Sequence, residues 1–306
     1  MKTGDWDIDL CKYFGIARSL LPEIRPSFGP FGQTRGLGVL PDGIPILGVA
    51  GDQQSALFGQ RAFASGEAKC TYGTGAFFLQ HLGDQAILSR NRLLTTIAAC
   101  GPGPIQYALE GAVFVAGAAV QWLHDGLKLF EQSPTVEEFA SRADPEQPVL
   151  FVPGFVGLGA PHWVSEARGV LFGLTRGTSA ADISRATLEG VALQVADLID
   201  AAAADAGTRL QTLRVDGGMA RNAWFLQRQA DVLGLPVVQS GTSEATALGA
   251  AYLAGLGAGV WSSIDDLRCL DTSERRFTPT WSNAQRDHRR EQWRRAVQAV
   301  IAYYRG

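Results

Sequence analysis

Residues 48–60 read GVAGDQQSALFGQ, and this stretch predicts an α/β fold because a strand passes directly into a helix. The apolar run IPILGVA is typical of a buried strand, whereas SALFGQ has helical character. The turn between them carries a carboxylate, Asp52, followed by Gln53 and Gln54. Such an acid can cap the helix by accepting backbone N–H bonds, or it can act as a general base at the open end of a sheet. The residues alone leave both interpretations open, and a cap does not exclude a base.

The alternation of strands and helices continues after this turn. EAKCTYG and GAFFLQHL predict a hairpin around Gly73–Gly75, and LLTTIAAC and IQYALEG are also β-like. A long helix capped by Ser179, a strand LQTLRV and a helix that ends at Gly234 follow farther along the chain. We therefore predict an α/β layer fold with a mixed sheet.

Two other segments carry separate predictions. Residues 23–44 are rich in glycine and proline, which predicts loop and turns. Residues 112–130, AVFVAGAAVQWLHDGLKLF, predict one helix packed with small residues.

The composition excludes several classes of function. The chain has 306 residues, of which 46% are hydrophobic and 19% charged, so it is long and apolar enough to bury a sizeable core. A net charge of -3 gives no electrostatic basis for binding nucleic acid or an anionic membrane. The cysteines and histidines are scattered without metal-ligand spacing, so we predict no disulfide framework, no metal site and a reducing cytoplasm. No apolar run approaches about 18 residues, so no membrane span is expected.

Two glycine-rich turns are candidate phosphate-binding elements. TYGTG, residues 71–75, lies at the tip of the predicted hairpin, where the backbone can approach a phosphate and the hydroxyl of Thr74 can donate to it. An ordinary hairpin turn is the alternative. VDGGMARN, residues 215–222, leads from a strand into a helix whose free N–H groups can bind an anion, although Asp216 could simply cap that helix.

Together with Asp52, these turns suggest phosphoryl transfer. The acid would receive a hydroxyl proton, and the two turns would hold nucleotide phosphates. Gln53 offers both a hydrogen-bond donor and an acceptor, which suits a polyol hydroxyl.

Longer segments resemble a known family. GDQQSALFGQ, AKCTYGTGAFFL, YALEGAVFVAGAAVQWL, GLGAPHW and LRVDGGMARN are similar to the glycerol kinases of the FGGY carbohydrate kinase family. The resemblance runs from Trp6 to Tyr304, and Gly169 to Glu189 fits the second signature of that family. It implies ribonuclease H-like lobes of the actin and hexokinase type, with ATP and substrate meeting in the cleft between two lobes.

The resemblance implies a glycerol kinase activity that converts ATP and glycerol to ADP and sn-glycerol 3-phosphate, with ATP and Mg²⁺ as cofactors. Asp52 would be the general base that takes the proton of the terminal hydroxyl, and Asp52 and Gln53 would both contact glycerol. The implied nucleotide-binding residues are Thr74, Gly117, Gln121, Gly218 and Asn222. Simple helix packing is the alternative explanation for Gly117 and Gln121.

The family pattern also contains an N-terminal lobe that precedes the part matching Trp6. We therefore expect residues 1–60 to be the tail of that lobe and the crossover, and residues 61–306 to be the complete C-terminal nucleotide-binding lobe. Apolar residues such as Phe14, Leu20 and Leu21 should then be more exposed than in a native domain.

Other functions stay open on the sequence. The chain could be a truncated or split-gene fragment that is inactive alone, binds nucleotide at most, and acts with a complementing N-terminal lobe or as a homo-oligomer. Another FGGY sugar kinase is a lesser alternative, as is an actin- or chaperone-like ATPase, against which the GDQQ motif argues.

Overall fold

The chain begins with two short helical turns and a two-stranded hairpin in the computed structural model, which describes residues 1–132, 135–242, 244–270 and 273–305. Helix α1 spans Ile8–Tyr13, a 3₁₀ turn spans Arg18–Leu20, and strand β1 (Phe28–Gln33) pairs antiparallel with β2 (Pro45–Gly48). The prediction of loop and turns for residues 23–44 is therefore wrong for β1. Its pairing with β2 is a tertiary contact that the glycine and proline content does not reveal.

A mixed sheet lies at the centre of the described residues. Its seven strands, in spatial order, are β11 (Arg275–Phe277), β10 (Val237–Gln239), β9 (Leu213–Asp216), β3 (Ala68–Tyr72), β4 (Ala76–Gly83), β6 (Tyr107–Val113) and β5 (Leu94–Ile97). Strand β9 runs parallel to both β3 and β10, and the other pairs are antiparallel. The α/β prediction with a mixed sheet is confirmed. A separate two-stranded sheet is formed by β7 (Leu150–Val152) and β8 (Val170–Phe172).

Helices cover both faces of this sheet. The helices that follow β2 in the described residues are α2 (Asp52–Gly59), α3 (Gly117–Gln121), α4 (Val136–Ser141), α5 (Ala180–Ala206), α6 (Ala223–Leu233), α7 (Ala245–Gly257), α8 (Ile264–Arg268) and α9 (Asn283–Arg305). None of the helices in the described ranges is both long enough and apolar enough to cross a membrane. The predicted helix over residues 112–130 is shorter than expected. Only α3 and a π-helical turn at Trp122–Gly126 are helical there, because the residues up to Val113 continue strand β6.

The two faces of the sheet have separate cores. On one face, Phe78 of β4 packs in the large apolar cluster that contains Leu193 and Leu198 of α5. On the other face, the next residue of β4, Leu79, packs with Leu57 of α2 and Ala108 of β6. The period-two alternation of a strand thus places α2 on the face opposite α5.

Helix α2 is held against α7 by direct contact between their backbones. A Cβ atom on Gly249 would lie 1.8 Å from the carbonyl oxygen of Ser55, and one on Gly59 would lie 2.0 Å from that of Ala245. Glycine is required at both positions because no side chain fits between the helices. This contact fixes the position of α2 and therefore of its first residue, Asp52.

None of residues 1–50 is fully buried, although Phe28 and Ala50 pack at the edge of the cluster formed by Phe58, Tyr252, Leu253 and Leu267. Phe14 is 66% exposed and Leu20 is 78% exposed, as expected from the sequence. Leu21 is half-buried and therefore less exposed than Phe14 and Leu20.

Candidate active site

Asp52 is the first residue of α2, and its side chain is exposed. The N-cap residue is Gly51, which makes no side-chain cap. The Asp52 Oδ1 atom accepts a hydrogen bond from the adjacent backbone N–H of Gln53 at 2.8 Å. The carboxylate therefore stabilises the first turn of the helix and still faces solvent, so it is free to meet a ligand.

The side chain of Gln53 accepts a hydrogen bond from Lys69, which lies on β3 and is fully buried. The Lys69 Nζ atom donates to Gln53 Oε1, to Thr71 Oγ1 at 3.1 Å and to the carbonyl oxygen of Phe77 at 3.3 Å. Burial lowers the pKa of Lys69, and nearby carboxylates, that of Asp216 foremost, oppose the shift. Sequence reasoning missed Lys69, because one lysine in a five-residue strand is indistinguishable from a solvent-facing one.

Asp216 joins the same polar region from the end of β9. It pairs in register with Thr71 of β3, and its Oδ2 atom accepts a hydrogen bond from Gln60 Nε2 at 2.9 Å. Its Oδ1 atom is buried and has no hydrogen-bond partner within the described part of the chain. The alternative in which Asp216 caps the following helix is wrong, because Asn222 caps α6 by accepting from the backbone N–H of Phe225 at 2.8 Å.

The TYGTG hairpin tip docks on the start of α3. The backbone N–H of Gly117 donates to the Gly73 carbonyl at 3.0 Å, and those of Ala116 and Ala118 donate to the Thr74 carbonyl at 2.9 and 3.1 Å. The exposed side chain of Thr74 therefore sits on a backbone that α3 holds in place. This docking is more than an ordinary hairpin turn requires.

A cavity of about 630 Å³ opens beside this contact. Four of the predicted nucleotide-binding residues line it, namely Gly117, Gln121, Gly218 and Asn222. Thr74 is outside the lining and is joined to the cavity through the contact with α3. Helix packing does not explain Gln121, whose side chain is exposed. The volume is within the range typical of small-molecule sites.

Sequence reasoning missed the rest of the cavity wall. The additional lining residues are Val120, His124, Asp125, Val136, Glu137, Met219 and Arg221. Hydrogen bonds from His124 and Gln121 lower the pKa of Asp125, and the Glu131 carbonyl together with Asp125 raises the pKa of His124. Only the fold could reveal these residues, because α3, α4 and the turn before α6 come from distant parts of the chain.

Strand β3 connects the two halves of the site. Lys69 and Thr71 belong to the polar region around Gln53 and Asp216, and Gly73 and Thr74 immediately follow the strand at the cavity. Across the residues that the structure describes, no group of three or more histidine, cysteine, aspartate or glutamate side chains could hold a metal ion. The arrangement can place an acid, an amide and a glycine turn around two reactants.

Comparisons with known proteins point to one family. A family model described as the FGGY family of carbohydrate kinases, C-terminal domain, matches residues 68–258, and the corresponding N-terminal domain model matches residues 1–59. A glycerol kinase of Bdellovibrio bacteriovorus is 50% identical over 299 residues, which cover 97% of this chain and 60% of that protein. A glycerol kinase of Enterococcus casseliflavus is 48% identical over 299 residues, covering 98% of this chain and 59% of that protein.

Solved structures agree with this result. Plasmodium falciparum glycerol kinase with ADP matches with a TM-score of 0.91 and 38% identity, covering 97% of this chain and 60% of that one. Gluconate kinase from Lactobacillus acidophilus matches with a TM-score of 0.84 at 21% identity, covering 99% of this chain and 62% of that one, and so shares the fold. The actin- and hexokinase-like fold expected from the sequence is thereby confirmed. The chain spans about 60% of the length of the curated relatives it matches.

Proposed function

Because the chain belongs to the FGGY family of carbohydrate kinases, we propose that it serves in an ATP-dependent glycerol kinase, which converts ATP and glycerol to ADP and sn-glycerol 3-phosphate. The observation that carries the proposal is the exposed Asp52 carboxylate beside the anchored Gln53 amide, on a scaffold whose β3 strand leads to the cavity. Relatives named glycerol kinase at 50% and 48% identity favour glycerol over other polyols.

In the proposed reaction, Asp52 accepts the proton of the terminal glycerol hydroxyl while Gln53 binds the same hydroxyl. The freed oxygen attacks the γ-phosphorus in line. A new P–O bond forms to glycerol as the bond from the γ-phosphorus to the β,γ-bridging oxygen breaks, and ADP leaves. General-base assistance of this kind typically contributes a factor of about 10²–10⁴ in rate.

The nucleotide is proposed to bind in the cavity, with its phosphates towards Thr74 and Gly117. Gln121, Gly218 and Asn222 would contact the rest of the nucleotide. The likeness to the Plasmodium falciparum glycerol kinase structure with ADP supports this placement. Mg²⁺ would enter with ATP and neutralise charge at the β- and γ-phosphates. The described residues do not form a metal cage, so we assign no metal ligand to them.

The division of the chain is also a proposal. Residues 1–60 would be the tail of an N-terminal lobe with the crossover, and residues 61–306 the C-terminal nucleotide-binding lobe. Two features support this division: the N-terminal family model ends at residue 59, and the C-terminal one begins at residue 68.

The described cysteines are all free, which fits the cytoplasmic location that we propose for the enzyme.

A second candidate function is nucleotide binding without turnover by this chain alone. The observation that favours it is the exposed apolar surface of the first fifty residues, where Leu20 is 78% and Val39 is 88% exposed. Such a surface is suited to packing against a complementing N-terminal lobe or a second copy of the chain.

One assay separates these functions. The purified chain is tested for glycerol-dependent ADP release, alone and with the separately expressed N-terminal domain of a glycerol kinase relative. Turnover by the chain alone supports the first function, turnover only with the added domain supports the second, and no turnover in either case overturns the glycerol kinase proposal.

The Asp52→Asn variant tests the proposed base. We expect turnover to fall by about 10²–10⁴-fold, because the amide cannot accept the hydroxyl proton. ADP affinity, measured by calorimetry, should stay within about twofold of wild type, since Asp52 lies outside the cavity lining. Asp84→Asn, at an exposed turn position, is the matched control and should leave both quantities unchanged. Wild-type turnover in Asp52→Asn would show that Asp52 is not the base.

A further inference from the structure

We propose that Lys69 is a positioning residue, which orients the side-chain amide of Gln53 so that its Nε2 atom donates to the polyol hydroxyl whose proton Asp52 accepts. This inference rests on the proposed function and assigns the direction of each hydrogen bond around the reacting hydroxyl.

The Lys69 ammonium is fully matched by acceptors from its surroundings. Lys69 lies on β3, between β4 and β9, and its side chain is completely buried. Its Nζ atom donates to Gln53 Oε1, Thr71 Oγ1 and the Phe77 carbonyl. An ammonium group has three N–H donors, so these three acceptors use all of them. Lys69 therefore has no donor left for a phosphate, and its effect on a ligand passes through Gln53.

The contact decides which way the Gln53 amide points. Because an ammonium group donates only, the amide atom that faces it must be the carbonyl oxygen, and the flipped amide would place N–H against N–H. Gln53 Oε1 is thus bound to Lys69, and the two N–H donors of Gln53 Nε2 are directed elsewhere. Gln53 meets a ligand as a hydrogen-bond donor.

This orientation complements Asp52, the neighbouring residue in the chain. A carboxylate accepts only, so a hydroxyl bound to Asp52 must donate its hydrogen to it. The oxygen of that hydroxyl keeps its lone pairs, and Gln53 Nε2 can donate to one of them. Asp52 and Gln53 together select a group that both donates and accepts at one atom, which is a hydroxyl.

Burying the charge of a lysine is unfavourable unless hydrogen bonds and opposite charges compensate for the lost hydration. A methionine would fill a similar space without that desolvation. The carboxylates of Asp216, Glu110 and Asp52 all interact favourably with the Lys69 charge. The surrounding acids thereby allow a buried cation whose donors fix Gln53.

A double-mutant cycle tests the inference in the turnover assay, with the added N-terminal domain if the chain requires it. Lys69→Met removes the donors while roughly keeping the side-chain volume. We expect the KM for glycerol to rise about 10- to 100-fold with kcat and ADP affinity changed much less, because a ligand hydrogen bond is lost. Gln53→Met should raise KM similarly, and Lys69→Met should add little on that background. Lys12→Met, at an exposed lysine, is the control.

An additive effect of the two substitutions, or an unchanged KM in Lys69→Met, would overturn the inference. If Lys69→Met does not fold, as judged by thermal unfolding, Gln53→Glu decides instead. Its carboxylate keeps the contact with Lys69 and loses the N–H donors, so KM should rise as in Gln53→Met. A wild-type KM in Gln53→Glu would show that Gln53 does not act as a donor.

Side-chain ¹⁵N NMR separates failure of this inference from failure of the proposed function. The Gln53 NH₂ resonances are assigned with Gln53→Met. In the wild type their chemical shifts should differ from random-coil values, and in Lys69→Met they should move towards random-coil values. If the wild type phosphorylates no polyol but these resonances behave as expected, the glycerol kinase proposal fails and the amide orientation stands. If the resonances do not respond to Lys69→Met, the orientation fails regardless of turnover.

Discussion

Gly117 sets how closely the hairpin tip approaches the cavity. A Cβ atom at this position would lie 2.6 Å from the carbonyl oxygen of Gly73, which is closer than real side chains come to backbone. The same glycine donates its backbone N–H to that carbonyl at 3.0 Å. The close approach at Gly117 and the backbone hydrogen bonds from Ala116 and Ala118 to the Thr74 carbonyl together hold the exposed Thr74 against the cavity wall.

Replacing Gly117 with alanine should separate these parts. We expect Gly117→Ala to lose about 1–3 kcal/mol of unfolding free energy, because overpacking forces the backbone to move, and to weaken ADP binding about tenfold. Gly73→Ala is the matched control, since its Cβ would meet nothing closer than 3.9 Å, and its stability should stay near wild type. Urea unfolding and calorimetric titration with ADP measure both effects. Wild-type stability and ADP affinity in Gly117→Ala would show that this contact does not determine the position of the hairpin tip at the cavity.

Single residues differ in how far the sequence could predict them. Asp52 and Thr74 carry local signals, an acid at a strand-to-helix turn and a hydroxyl in a glycine turn. Lys69 carries none, because its burial and its contact with Gln53 arise only when β3 packs under α2. Asp216 was open to interpretation as a helix cap until the fold placed Asn222 in that role.

Among the secondary-structure elements, the crossing of α2 and α7 matters most for the candidate base. Asp52 begins α2, and the carbonyl oxygen of Ser55 lies where a Cβ atom on Gly249 of α7 would be. Gly48 of β2 is also tight against α7, since its Cβ would lie 2.5 Å from the backbone nitrogen of Ala254. Any change that pushes α7 away therefore moves the turn that carries Asp52.

Gly249→Ala tests this crossing. Alanine favours a helix over glycine by about 1 kcal/mol, so propensity alone predicts a gain in stability. We expect a net loss of about 1–3 kcal/mol instead, because the added methyl group collides with backbone, together with lower turnover from the displaced Asp52. Ala251→Ser, at an exposed position of the same helix, is the control. A stabilised Gly249→Ala in thermal unfolding would contradict the close packing.

Elements with strong local signals could be predicted, and those defined by distant pairing could not. The hairpin of β3 and β4, the capping box of Ser179 and Asp182 on α5, and the left-handed Gly234 after α6 agree with the sequence analysis. Strand β1 was missed because its hydrogen bonds depend on β2, which follows only after a long glycine-rich connection. The helix predicted over residues 112–130 is longer than α3 because small residues fit both a buried strand and a helix.

For the whole molecule, burial is distributed very unevenly along the chain. The sheet has cores on both faces, whereas none of residues 1–50 is buried. The sequence could indicate this contrast, since the opening stretch has few apolar residues in any periodic pattern. It could not indicate that α2, which directly follows this stretch, has five buried residues against the sheet and α7.

A matched pair of leucine substitutions measures this contrast. Leu20 is 78% exposed, so we expect Leu20→Ala to change the free energy of unfolding by no more than about 0.5 kcal/mol. Leu57 of α2 is 2% exposed and packs with Leu79 and Ala108, so Leu57→Ala should lose about 2–5 kcal/mol through the lost burial and the cavity left behind. Urea unfolding of both variants at one protein concentration gives the comparison. A loss of several kcal/mol in Leu20→Ala would mean that the first fifty residues pack into the fold in solution, and the proposed division near residue 60 would then fail.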